Sequence, residues 1–150
     1  MNRGSTRMNA DREVRALDSP LLHRHVTDAV LGVFFDVYNE LGGGFLESVY
    51  REGLAIGLAQ ARIPFDREAG LAVRFRGRPV GVFRPDFVVA DAVIVECKAV
   101  KVLDEVHHAQ LLNYLRAATI EVGILLNFGP TPSFKRLVLE NSHKGRSLPR

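Results

Sequence analysis

Residues 84–98 read RPDFVVADAVIVECK, and three charged side chains sit where an apolar strand pair is expected. Two runs rich in Val, Ile and Phe, residues 83–89 and 93–100, flank the short break Ala90-Asp91-Ala92. Such runs read as β-strands joined by a tight hairpin. Asp86, Glu96 and Lys98 interrupt them. A charge in an apolar run is costly unless it is paired or holds a metal ion, so these three need a partner.

The pleat decides which of them can meet. Side chains alternate along a strand, which puts Glu96 and Lys98 on one face and Val95, Cys97 and Ala99 on the other. With Ala90-Asp91-Ala92 as a three-residue loop, Val89 stands opposite Val93, Asp86 opposite Glu96 and Arg84 opposite Lys98. A two-residue loop would slide the register by one and send Asp86 to the other face. The longer loop is expected because it gathers the polar residues. Two facing carboxylates repel, and Lys98, Arg84 or a divalent metal would relieve them. Taken alone, the hairpin fits equally a neutral square of Arg84, Asp86, Glu96 and Lys98 on a solvent-facing sheet, since structural ion-pair networks also collect charges.

Composition narrows the setting. At 150 residues, 47% hydrophobic and 25% charged, the chain has the make-up of one ordinary globular domain with a real core. The formal net charge of +3 equals the contribution of Lys144, Arg146 and Arg150 in the acid-free last ten residues. The folded body therefore has no cationic excess that would by itself point to nucleic acid. One cysteine, Cys97, excludes an internal disulfide framework and a cysteine-based zinc site. Its strand position reads as an inert core thiol. No apolar run is long enough to span a membrane, and the Arg-rich start also contains Asp11, Glu13 and Asp18. A cytoplasmic protein is the expectation.

Residues 1–19 lack periodicity and are expected to form a flexible leader, with a folded domain over 20–140 and a basic disordered tail over 141–150. A helix is predicted from Pro20 to Leu41, where Val26, Val30, Val33, Phe34 and Val37 recur at helical spacing. Gly42-Gly43-Gly44 should end it with a left-handed cap. A second helix is predicted from Phe45 or Leu46 to about Ala61, with Gly53 and Gly57 allowing a close backbone approach. Glu47 lies in its first turn, where the helix dipole favours a carboxylate whatever else it does. A strand meander over 65–68, 71–75 and 80–83 should lead into the hairpin. Asp104 is a candidate N-cap for a helix from Glu105 to about Ala118. Strands over 122–127 and 134–139 complete an α/β arrangement around a mixed sheet.

On the third helix His107, Gln110 and Tyr114 share one stripe. If it faces the polar side of the hairpin, Glu47, Asp86, Glu96, Lys98, Gln110 and Tyr114 assemble one site. Three acids less one lysine leave a charge that a single divalent cation neutralises, and hard oxygen ligands suit Mg²⁺ or Mn²⁺. His107 and His108 read better as solvent-facing or supporting residues than as ligands. His23 and His25 do not share a helical face. Arg74, Arg76, Arg78 and Arg84 cluster on and beside the meander. They would suit a phosphate backbone, but a solvated edge guarded against aggregation accounts for them more simply.

These residues carry a resemblance. Gly44-Phe45-Leu46-Glu47-Ser48-Val49-Tyr50 resembles the signature of the GxxExxY protein family, a branch of the PD-(D/E)xK nuclease-like superfamily. Pro85-Asp86 followed by Glu96-Cys97-Lys98 is similar to the superfamily motif, and Gln110 to Tyr114 to the QxxxY motif of its exonuclease-related branch. The resemblance implies a restriction-endonuclease-like core, a mixed four-stranded sheet flanked by helices. It implies Asp86 and Glu96 as metal ligands, completed by Glu47, with Lys98 catalytic and Gln110 and Tyr114 supporting the site or touching substrate. Arg84 is a further candidate for substrate contact. Cys97, where relatives often carry a larger apolar residue, faces away from Glu96 and Lys98. The expected function is Mg²⁺- or Mn²⁺-dependent hydrolysis of nucleic acid, DNA in preference to RNA. The alternative is a non-catalytic nucleic-acid- or protein-binding module with the same fold; on either reading a homodimer or a partner protein is a candidate assembly.

Overall fold

Alternating side chains on the central strands divide the core into two unequal halves. The structure is a computed structural model and describes residues 22–145. Helix α1 spans Arg24–Leu41 and α2 spans Glu47–Gln60. Strands β1 (Phe65–Arg67), β2 (Leu71–Phe75), β3 (Arg78–Phe83), β4 (Phe87–Val89) and β5 (Val93–Lys98) follow. Helix α3 (Glu105–Ala117), β6 (Val122–Asn127) and β7 (Ser133–Val138) complete the order. Five strands form one sheet in the order β1-β4-β5-β6-β7. Only β5 and β6 are parallel, with α3 as the crossover that parallel neighbours require. This is the expected mixed α/β sheet with helices on its faces, consistent with a restriction-endonuclease-like core; β1 adds an edge strand to the four implied.

Val93, Val95 and Cys97 of β5, with Val122, Ile124 and Leu126 of β6, face α1 and α2 and join the larger core. Ile94 and Leu125 face α3 and meet Leu111, Leu115 and Ala118 in a smaller one. Close approaches set both layers. A Cβ on Gly57 would lie 2.5 Å from Val33 Cγ1, so the glycine lets α2 press against α1, as its spacing suggested. A Cβ on Gly123 would lie 2.8 Å from Leu111 Cδ1, so α3 rests on β6 at that glycine. Gly42 ends α1 at φ 71° and ψ −179°, donating its N–H to the Tyr38 carbonyl; a glycine stops the helix as expected, but in an extended positive-φ conformation and not in a left-handed cap. Asp104 caps α3 by accepting from the N–H groups of Val106 and His107.

The hairpin register is the one expected. Val89 stands opposite Val93 and Phe87 opposite Val95, across a loop in which Ala90 and Asp91 both adopt φ 53°. Three expectations change. The run 83–89 is not one strand: Phe83 ends β3, β4 starts at Phe87, and Pro85, with no N–H to give a ladder, lies in the break. Arg84 consequently does not pair with Lys98; its guanidinium donates to the Glu68 carbonyl at 3.3 Å. The meander also does not run through the sheet, because β2 and β3 leave it as a separate two-stranded arm. Past β7, order continues where a disordered tail was expected. Asn141–His143 form a 3-10 turn, and Lys144 Nζ donates to the Ala118 and Ile120 carbonyls, both at 2.8 Å. The start of α1 expected at Pro20, the leader 1–19 and the last residues of the tail lie outside the described residues. No helix among the described residues is long and apolar enough to cross a membrane.

Candidate functional site

At the end of the β4–β5 hairpin the ladder gives way to bonds from backbone N–H groups to two carboxylates. The Asp86 backbone N–H donates to Glu96 Oε1 at 3.1 Å, and the Cys97 N–H donates to Asp86 Oδ2 at 2.8 Å. Each carboxylate thus satisfies a backbone donor that the interrupted strand leaves over. The site acids are held at the same break that separates β3 from β4.

Burial makes this pair electrostatically tense. Glu96 is 8% exposed. Burial, then the charge of Asp86, pushes its carboxyl up to about 8. Asp86 is also raised, chiefly by burial, although the Cys97 N–H and Arg51 oppose the shift. Cys97 has no exposed surface, and burial pushes its thiol well above the ordinary range, in keeping with an inert core thiol.

Lys98 follows on the same face of β5 as Glu96. Its Nζ donates to Gln110 Oε1 at 3.3 Å, and Gln110 Nε2 donates to the Tyr114 hydroxyl at 2.9 Å. The predicted stripe of α3 therefore does face the polar side of the hairpin, and Lys98, Gln110 and Tyr114 form one chain of bonds. The Tyr114 ring lies parallel to Phe83 of β3, centroids 4.3 Å apart. His107 is used elsewhere: its Nδ1 accepts from the Asp104 N–H and completes a capping box.

Glu47 opens α2, and its Oε1 accepts from Arg51 Nη1 at 3.0 Å, one turn along the helix. Arg51 Nε in turn lies 3.9 Å from Asp86 Oδ1. A cation of the chain itself thus bridges the first acid to the second. Among the described residues no three His, Cys, Asp or Glu side chains converge as a ligand set for a metal ion. What the fold brings together is the Asp86–Glu96 pair with Lys98, with Glu47 near enough for its charge to raise Glu96 further. The donor chemistry fits a hard divalent cation: neighbouring carboxylates driven toward neutrality are what such a charge relieves. Arg84, on its Glu68 carbonyl, stands apart from this group.

Three residues have roles at the site that the sequence did not assign them. Arg51 was legible only as the i+4 partner of Glu47; its reach to Asp86 is tertiary. Tyr50 is fully buried, stacks on Phe128 with centroids 4.6 Å apart, and its hydroxyl donates to the Gly42 carbonyl at 2.6 Å. It also accepts from the Phe45 N–H at 3.2 Å, so it fastens the glycine loop that delivers Glu47. Asn127, fully buried opposite Lys98, accepts from the Val100 N–H at 3.0 Å and donates to its carbonyl at 2.9 Å. A lone amide ending the apolar run VGILLN was the available signal.

No curated protein matches the chain. The crystal structure of SSO0001 aligns with it at 21% identity and a TM-score of 0.47, covering 62% of this chain and 50% of that one. The chain thus spans half the length of that protein. The family model described as the PD-(D/E)XK nuclease superfamily matches residues 24–137, from the first residue of α1 almost to the end of β7. With Asp86 and Glu96-Cys97-Lys98 adjoining on one hairpin inside that span, the chain belongs to the PD-(D/E)XK nuclease superfamily.

Proposed function

We propose that the protein is a metal-dependent nuclease of the GxxExxY branch, hydrolysing phosphodiester bonds of DNA. The observation that carries this reading is the Asp86–Glu96 pair, Glu96 buried and Asp86 half-buried, both acids raised, with Lys98 one pleat away from Glu96 on the same face. Asp86 and Glu96 would hold Mg²⁺ or Mn²⁺, joined by Glu47 once Arg51 yields. The cation, when bound, supplies neutralisation of the phosphate and a more acidic attacking water. The Lys98 ammonium faces the negative charge that develops on the phosphoryl oxygens, and Gln110 fixes its direction through their 3.3 Å bond. Gln110 orients the water or a phosphate oxygen, and Tyr114 packs against the substrate. Arg84 offers a further phosphate contact.

Incubation with single- and double-stranded DNA in Mg²⁺ or Mn²⁺ tests this. Lys98→Ala and Asp86→Ala should each lower cleavage about 10²–10³-fold. Equal cleavage by wild type and both variants would assign the activity to a contaminant. A second reading, a non-catalytic module of the same fold, is favoured by the Arg51 guanidinium lying between Glu47 and Asp86 where an ion would compete with it. Calorimetric Mn²⁺ binding that disappears in Glu96→Ala supports the nuclease; no binding to wild type supports the module.

A further inference from the structure

Leaving the sheet gives the β2–β3 arm a basic surface of its own. Residues 71–84 carry Arg74, Arg76, Arg78 and Arg84 and no acid, in a chain whose formal charge is only +3. Three of these arginines rest on uncharged groups. Arg74 Nη1 donates to the Gly77 carbonyl at 3.4 Å, Arg84 to the Glu68 carbonyl, and Arg76 lies over the Phe75 ring, 4.8 Å from its centroid. Phe75 itself is 58% exposed. Across from the arm, Arg116 of α3 bonds the neutral side chain of Asn113 at 2.8 Å.

Between the arm and α3 lies a pocket of about 410 Å³, lined by Val73, Arg74, Phe83, Asn113, Tyr114 and Arg116. One wall is the parallel Phe83–Tyr114 ring pair. The Tyr114 hydroxyl continues through Gln110 to Lys98, so the pocket adjoins the candidate active site. An apolar, aromatic-walled pocket between two guanidinium groups is complementary to a nucleobase flanked by phosphates. A duplex keeps its bases stacked inside and offers the pocket nothing to receive, whereas a single strand presents both base faces and backbone.

We propose that the cleft between the β2–β3 arm and α3 is a binding site for single-stranded polynucleotide, Arg74 and Arg116 taking phosphates on either side of a base held against the Phe83–Tyr114 wall. The proposal rests on the nuclease reading of the neighbouring acids and adds strandedness to it. Bound there, the strand runs along α3 toward Lys98, and the arginines of the arm extend the track outward.

Fluorescence anisotropy in EDTA, with a labelled 20-nucleotide strand, its blunt duplex and an oligoribonucleotide of the same sequence, separates binding from hydrolysis. The wild type should hold the single strand about tenfold more tightly than the duplex, and the two sugar types distinguish DNA from RNA as the occupant. Arg74→Ala/Arg116→Ala should weaken single-strand binding about tenfold and make the salt dependence shallower by roughly 1.4, about 0.7 for each phosphate left without its guanidinium. The charge-matched Arg24→Ala/Lys135→Ala, on other elements, should leave both unchanged. Equal affinity for strand and duplex, or equal losses in the two double variants with native circular dichroism, would overturn the site. Arginine-dependent strand binding without cleavage in Mg²⁺ keeps the site and removes the nuclease; cleavage with no strand preference does the reverse.

Discussion

The two faces of the five-stranded sheet are built to different rules. Under α1 and α2 every inward position of β5 and β6 is apolar, and Phe34, Tyr50 and Phe128 seal the layer with ring contacts at 4.6–4.8 Å. Under α3 the apolar contact stops at Ile94 and Leu125, and the next inward residues are Glu96 and Lys98. The difference shows how a small domain accommodates buried charge. One face supplies the stability, and the thin face keeps a strip beside α3 where carboxylates can be half-desolvated without an apolar seal. Arg51 and Glu47 reach that strip from the thick side, at the end where both layers meet Asp86.

The largest test of this division is Phe34→Ala. Loss of a fully buried ring against Phe128 should cost about 3–5 kcal/mol in urea unfolding, enough to unfold a marginal domain. Lys98→Ala on the other face should leave the midpoint nearly unchanged. Comparable losses at both positions would mean that the faces share the load.

Next in size is the pH dependence of the thin face. Glu96 titrates near 8 in the metal-free fold against about 4.5 in a free carboxyl. Below about 4.5 folded and unfolded chains are both protonated. Between 4.5 and 8 the unfolded chain ionises while the folded one keeps its proton, so this group's contribution declines as pH rises, and its penalty is complete above about 8. The span amounts to on the order of a few kcal/mol. Thermal unfolding in EDTA should therefore show Glu96→Gln more stable than wild type at pH 8.5 and close to it at pH 4.5. A constant difference across that range would remove the strain from Glu96.

The smallest effect concerns the bridge between the faces. Arg51→Met should raise Mn²⁺ affinity severalfold, about 1 kcal/mol, because the competing guanidinium is partly solvent-screened. Calorimetry reads the shift without requiring turnover. Unchanged or weaker affinity would show that Arg51 supports the acids rather than competing for them.

Much of the site was legible along the chain because its causes are local. The pleat put Glu96 beside Lys98, the three-residue loop set Val89 opposite Val93, and helical spacing aligned Gln110 with Tyr114. Glu47 was legible as a helix-opening acid with Arg51 one turn on, but the reach of Arg51 to Asp86 was not, since one turn of helix says nothing of a strand end beyond it. The arm was misread for a related reason. Residues 71–83 alternate like any meander, and alternation marks a strand without naming its neighbour.

The sequence by itself thus determined which segments are helix or strand, which side chains share a face, and where charge interrupts the apolar pattern, since these follow from backbone geometry over a few residues. Only the tertiary structure decided that β2 and β3 leave the sheet, that Arg51 meets Asp86, and that Phe83 lies against Tyr114. Each of those joins residues from separate elements, and packing, which no local periodicity encodes, selects among the partners available.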